Sequence, residues 1–265
     1  MWPLYLLLNK FLKTGEENVQ GSVGDHVTVV EAYPFGQSVN KEKENDATLT
    51  RSHFVEVPLV NQEQAWDCGL ACILMVLRTL GINSSNIQEL EELCCTTSIW
   101  TVDLAYLLHK FSVSFSYFTV TVGANPNFSM ETFYKEQLAN DVMRVNMLFH
   151  KALEAGITIQ CRSISGEEIS GLILSGNYIA IALVDHYRLS QSWIEDVCVS
   201  GFYSGNSSYT GHYVVICGYD AETDEFEIRD PASSRKHEKV TSKRLEEARK
   251  SFGTDEDLLL ISLDR

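Results

Sequence analysis

The chain has 265 residues, is 45% hydrophobic, and carries 36 acidic against 21 basic side chains, for a formal charge of −15. That length allows one large domain or two small ones, each able to bury a core. Nucleic acid and anionic membrane are bound chiefly through clustered Lys and Arg, so a chain this acidic argues against both as partners.

Residues 1–8 are an apolar run too short to span a bilayer, and no charged n-region or cleavage site accompanies them. We read residues 1–13 as a short apolar N-terminal segment. Residues 14–52 form a polar, acidic linker whose ordering entropy burial cannot offset. A single folded domain is expected over 53–265. No other stretch nears ~18 uninterrupted apolar residues, so a soluble, cytoplasmic protein is expected. The cysteines are Cys68, Cys72, Cys94, Cys95, Cys161, Cys198 and Cys217, an odd number in a long chain. That pattern fits reduced thiols better than a disulfide framework. No CxxC pair occurs, so a structural zinc site has little support.

Within the domain, residues 55–60 are a short apolar run leading into a polar stretch over 61–67. Leu70, Ile73, Leu74, Val76, Leu77 and Leu80 then predict a helix starting near Cys68, and Gly81 stands where a C-terminal cap belongs. Ser85 with Gln88 resembles a capping box for a second helix through Cys94. Thr101 is placed to cap a third. Residues 113–122 alternate as a half-buried strand does. A helical region over 129–155 is predicted to break at Asn140-Asp141, followed by a short strand at 157–160. Ser165 with Glu168 opens another helix through Leu174, and 178–184 reads as a buried strand. Residues 185–211 read as a less regular, exposed stretch. Strands are predicted at 212–219 and 225–229, a helix at 241–252, and a closing strand at 257–263. With helices first and strands late, the predicted class is α+β.

Three segments carry chemistry. Cys68 lies where the polar stretch enters the helix, and a helix N-terminus favours the thiolate form that makes cysteine a nucleophile. Cys72, one turn further in, belongs to the core. His212 opens a strand, where an imidazole can act as base for a thiol and acid for a leaving group. Asp230 ends the neighbouring strand ahead of Pro231, and a carboxylate there can orient the imidazole. Each feature alone is more often structural. The remaining histidines, His26, His53, His109, His150, His186 and His237, have no comparable setting in the sequence.

The combination Gln62-x5-Cys68-Gly-x-Ala-Cys72, then Gly211-His212-Tyr-Val-Val, then Asp230-Pro231 resembles the C39-like branch of the papain-like cysteine peptidases. That resemblance implies a papain-like α+β fold, Cys68 as nucleophile, His212 as base, Asp230 as orienting acid and Gln62 as oxyanion support. Gln64 is the rival for the last role. The implied reaction is acyl transfer on a peptide or other acyl substrate, with no cofactor.

A second resemblance extends over nearly the whole chain. It includes Trp-Asp-Cys-Gly-Leu-Ala-Cys72, Thr96-Thr-Ser-Ile-Trp-Thr-Val-Asp-Leu-Ala-Tyr106 and Tyr209-Thr-Gly-His-Tyr-Val-Val-Ile-Cys-Gly-Tyr219. In these segments the chain is similar to the plant guanylyl cyclase 1 family, which implies Mg²⁺-dependent conversion of GTP to cyclic GMP. Such chemistry needs carboxylates around the metal and positive charge around the triphosphate. Asp103, Asp220, Asp224 and Asp230 show no spacing that specifies a metal pair, and no Gly-x4-Gly-Lys-Ser/Thr loop occurs. Arg162, Arg229 and Lys236 are candidate cations, although surface ion pairing is the ordinary role of each. A third reading is a binding module that keeps the papain-like fold without turnover.

Overall fold

The computed structural model describes residues 51–83, 85–125, 127, 138–190 and 209–264. The N-terminal segment and almost all of the linker lie outside the described residues. Ser52–Phe54 is strand β1, so the described structure reaches into the last residues of the predicted linker. The elements that follow are α1 (Cys68–Thr79), α2 (Ile87–Cys94), α3 (Thr101–Lys110), β2 (Phe115–Thr119), α4 (Leu138–Lys151) and β3 (Ile159–Cys161). Then come α5 (Gly166–Leu174), β4 (Tyr178–Asp185), α6 (His186–Ser190), β5 (Gly211–Asp220), β6 (Glu225–Arg229), β7 (Glu238–Thr241), α7 (Ser242–Arg249) and β8 (Leu258–Ser262).

The strands form one eight-stranded sheet in the order β3-β2-β8-β4-β5-β6-β7, with β1 pairing to β5 outside that path. Only the β2–β3 pair is parallel among the pairings described. Antiparallel strands with one wet face alternate apolar and polar residues, but β4, β5 and β8 are apolar almost throughout. The reason is that both faces are covered. Ile179, Ile181, Tyr213, Val215, Leu259 and Ile261 join the core beneath α1–α4. Their neighbours Ala180, Ala182, Val214, Ile216, Leu258 and Leu260 join a second core with Ile169, Ile173 and Leu245 of α5 and α7. The α+β class is as predicted. A cysteine-bearing helix packed on a sheet that carries the histidine is the papain-like plan.

Helix α1 is buried on all sides, from Cys68 through Leu77, rather than along one face. Gly69 makes its depth possible: a Cβ there would stand 3.1 Å from side-chain carbons of both Leu104 and Tyr213. Its end is as expected, with Gly81 at φ 73°.

Several boundaries differ from the sequence reading for identifiable reasons. Helix α2 is capped by Asn86, whose side chain accepts from the Glu89 amide, and not by Ser85. In α3 the cap position belongs to Trp100, whose amide donates to the Asp103 carboxylate. The Thr101 hydroxyl turns instead to the Tyr213 hydroxyl at 2.9 Å. Helix α4 is described from Leu138, so Asn140 and Asp141 lie in its first turn, and the helical stretch expected before it lies outside the described residues.

Asp141 is retained inside α4 because its carboxylate has tertiary work. It accepts from the Trp100 indole at 3.1 Å and from the Ser98 hydroxyl, while Arg144 spans Asp141, Asp103 and the Ser98 carbonyl. Burial pushes the Asp103 carboxyl up, and the adjacent Arg144 guanidinium pulls part of the way back. The two α4 side chains thus clamp residues 97–101 against the core. Replacing Arg144 with Met strands two buried carboxylates, and the expected loss is about 3 kcal/mol of unfolding free energy, read from the urea midpoint. An unchanged midpoint would remove the clamp from the account.

Candidate active site

Antiparallel register brings the predicted residues to one end of the sheet. Val184 near the end of β4 lies opposite His212 near the start of β5, and Ala182 lies opposite Leu258 at the start of β8. Val215 pairs with Arg229, so Asp230, one step beyond β6, projects at the same end. The N-terminus of α1 comes down there, with Cys68 as its first residue.

His212 and Asp230 are joined by a 2.7 Å contact between Nε2 and Oδ1. Both residues are buried. Cys68 lies close enough to the same imidazole to act on its proton affinity. Burial works against the His212 imidazolium, but the hydrogen bonds to Asp230 and Cys68 and their negative charge outweigh it. The His212 pKa is thereby raised to about 9. For Asp230, burial likewise opposes the charged form. The His212 hydrogen bond and charge, with the Ala232 amide at 2.8 Å, hold it below the usual carboxylate range.

Gln62 sits on the arm that leads into α1. Its backbone amide donates to the Pro231 carbonyl at 3.0 Å, and Asn61 Nδ2 donates to the carbonyls of Pro231 and Ser233. The arm is therefore stitched to the turn that carries Asp230. Its bend is set by Asp67, whose Oδ2 accepts from the amides of Glu63 and Gln64. The Gln62 side chain donates one hydrogen to the Gln64 carbonyl at 2.7 Å, while its Oε1 is buried without a partner among the described residues. Gln64 is exposed.

The sequence reading set His186 aside, and the structure places it against the pair. Its ring centroid is 4.6 Å from that of His212, and its Nε2 is 4.0 Å from Asp230 Oδ2. Burial and the neighbouring His212 charge lower its pKa, so it faces the imidazolium as a neutral ring. The ligand atoms of His186, His212 and Asp230 lie within 4.8 Å of one another, a spacing open to a metal ion. An ion would have to part the His212–Asp230 hydrogen bond, so this donor set fits an oriented imidazole better.

Beside Cys68 opens a cavity of about 300 Å³, walled by residues 97–101 on one side and by Leu183, Gly211 and Gly253 on another. Asp255 and Asp257 also line it, and neither was singled out in the sequence.

The cationic and acidic residues considered for a phosphate or metal site are dispersed and engaged. Arg229 is fully buried, contrary to the expected surface role, and donates to the Val57 carbonyl and to Glu227. Arg162 pairs with Glu168 and Lys236 with Glu56 at the surface. Asp103 is held by Arg144, and Asp224 by Tyr219 and Ser242. Asp220 accepts from the Glu222 amide. No helix among the described residues is long and apolar enough to cross a membrane.

Solved structures resemble the chain distantly. A C39-like peptidase from Bacillus anthracis is 15% identical over 81% of this chain and 98% of its own, with a TM-score of 0.40. Xylellain, a cysteine protease from Xylella fastidiosa, is 14% identical over 83% of this chain and 88% of its own, with a TM-score of 0.43. In sequence, guanylyl cyclase 1 of Arabidopsis thaliana is 61% identical over 266 residues, spanning 100% of this chain and 97% of that protein. The family model described as guanylylate cyclase matches residues 57–261, and with so full a relative the chain belongs to that family.

Proposed function

We propose that the chain is a cysteine hydrolase acting by acyl transfer. The observation that carries this reading is the chain of contacts from Cys68 through His212 to Asp230, with the imidazole raised to about 9 by its partners on both sides. Cys68 attacks a substrate carbonyl as thiolate, His212 supplies the proton to the leaving group, and Asp230 holds the ring. The developing oxyanion is received by the Cys68 amide, one of the N–H groups that a helix start leaves without an intrahelical partner. Gln62 is the second donor, its amide having one N–H beyond the bond to Gln64. His186, neutral beside the pair, is a positioning residue for Asp230.

The family's description favours a second reading, Mg²⁺-dependent cyclisation of GTP. Mg²⁺ would supply charge neutralisation of the phosphates, and it takes oxygen ligands. Asp255 and Asp257 offer such oxygens beside the cavity, but no Lys, Arg or His is among its described lining residues to receive a triphosphate. The residues present therefore fit the metal better than the nucleotide. Production of cyclic GMP that requires Mg²⁺ and persists undiminished in Cys68→Ala is the outcome that would put the cyclase reading first. A binding module without turnover would show Cys68 of ordinary reactivity and no dependence on His212.

Two measurements test the hydrolase reading. Iodoacetamide labelling at pH 6, resolved by peptide mass, should modify Cys68 about tenfold or more faster than the exposed Cys95 and Cys161. His212→Ala should erase that advantage. Equal rates at the three thiols in the wild type would end the proposal. The second concerns stability. Because the His212 pKa rises from 6.5 to about 9, its charge pairing is fully present below pH 6.5 and is lost as pH climbs through about 9. Asp230→Asn should therefore cost about 1–3 kcal/mol at pH 6, and the deficit should shrink across that window. A deficit independent of pH would mean that Asp230 acts without the imidazolium.

A further inference from the structure

Asp257 is the most anomalous group near the cavity. It is 6% exposed, and its Oδ2 accepts from the Tyr117 hydroxyl at 3.1 Å. Its Oδ1 is buried with no hydrogen-bond partner among the described residues. A buried carboxylate oxygen left without a donor is costly, and native structures rarely tolerate one without a reason. Asp255 lines the same cavity two residues earlier. Glu256 between them belongs elsewhere, its carboxylate reaching Ser163 and, at 3.8 Å, Arg249.

The charge of the Asp255–Asp257 pair is not balanced locally, since the described lining residues include no cation. Burial first, and then the neighbouring Asp255 charge, push the Asp257 carboxyl up to about 8. Burial alone pushes Asp255 up to about 6. Hydrogen bonds from Thr101, Thr119 and Tyr117 to Asp257, and from Thr121 and Asn125 to Asp255, offset those shifts only in part. The remaining walls include the aromatic rings of Trp66, Trp100 and Tyr213, whose π faces attract cations. Cys68 lines the same space. A cavity of about 300 Å³ stands at the small end of ligand sites and accommodates one long side chain.

We propose that this cavity is a subsite for the ammonium or guanidinium group of a basic acyl substrate, with Asp257 and Asp255 as its anionic partners and Cys68 at its mouth. The assignment rests on the acyl-transfer reading for its substrate, and the carboxylates act as specificity determinants rather than in bond making. A bound cationic N–H donor would satisfy Asp257 Oδ1 and offset one of the pair's two negative charges.

The test is calorimetric titration of the full chain with benzamidine, a cation that fits the cavity, and with benzamide, its neutral counterpart. Benzamidine should bind about tenfold or more tightly than benzamide. Asp257→Asn should remove the preference, and Asp255→Asn, at a less buried position, should reduce it, covering the case in which the first variant fails to fold. Bound benzamidine should also slow iodoacetamide labelling of Cys68 while leaving Cys95 unchanged. The titration is repeated in Cys68→Ala, where binding does not depend on thiol chemistry. A lost benzamidine preference there overturns the subsite, whereas labelling that ignores His212 overturns the hydrolase reading instead. Equal affinity for the two probes, or a preference that survives both substitutions, overturns the proposal. So does Mg²⁺ binding that requires Asp257 and leaves no room for benzamidine.

Discussion

An antiparallel sheet covered on both faces leaves its polar side chains no place along the middle of the strands. In this protein the middles of β4, β5 and β8 are buried on both faces, because each face meets a core. Polar chemistry is therefore displaced to strand ends, and the register gathers those ends together. Asp185 closes β4 opposite Gly211, while His212 opens β5. Asp230 follows β6 and Asp257 precedes β8. The N-terminus of a helix buried on all sides is delivered to the same place, so that Cys68 meets an imidazole whose own position is dictated by strand pairing. The site follows from what the sheet cannot hold.

Much of this was legible in the sequence because the residues concerned mark transitions between elements. Cys68 stands where a polar stretch turns into an unbroken apolar helix. His212 begins a run of strand-forming residues, and Asp230-Pro231 ends one. Those signals are local and survive without knowing the register. His186 and Asp257 have no such signal. Each is significant only through cross-strand pairing between segments distant in sequence, such as Ala182 with Leu258. Asp141, read as a breaker, stands instead in the first turn of α4, where an acidic side chain is favoured, and its carboxylate also meets an indole contributed from residue 100. Arg229 was misread for the converse reason. A strand-terminal arginine looks like surface, yet its guanidinium fills a buried position beneath Phe54 and holds the Val57 carbonyl.

The family and the site speak in different vocabularies. Membership rests on likeness along the whole chain, whereas the proposed chemistry rests on a handful of side chains that the fold brings together. Fold and lineage do not by themselves fix a reaction. The contact between His212 and Asp230 is informative because each raises or lowers the other toward the charged pair, and because the arm bearing Gln62 is sewn to the turn bearing Asp230.

The clamp formed by Asp141 and Arg144 separates two jobs that many enzymes leave entangled. One side of the cavity is a loop whose shape is governed from α4, while Cys68, His212 and Asp230 are held by α1 and the sheet. Changes in α4 can accordingly reshape that wall of the cavity without displacing Cys68, His212 or Asp230.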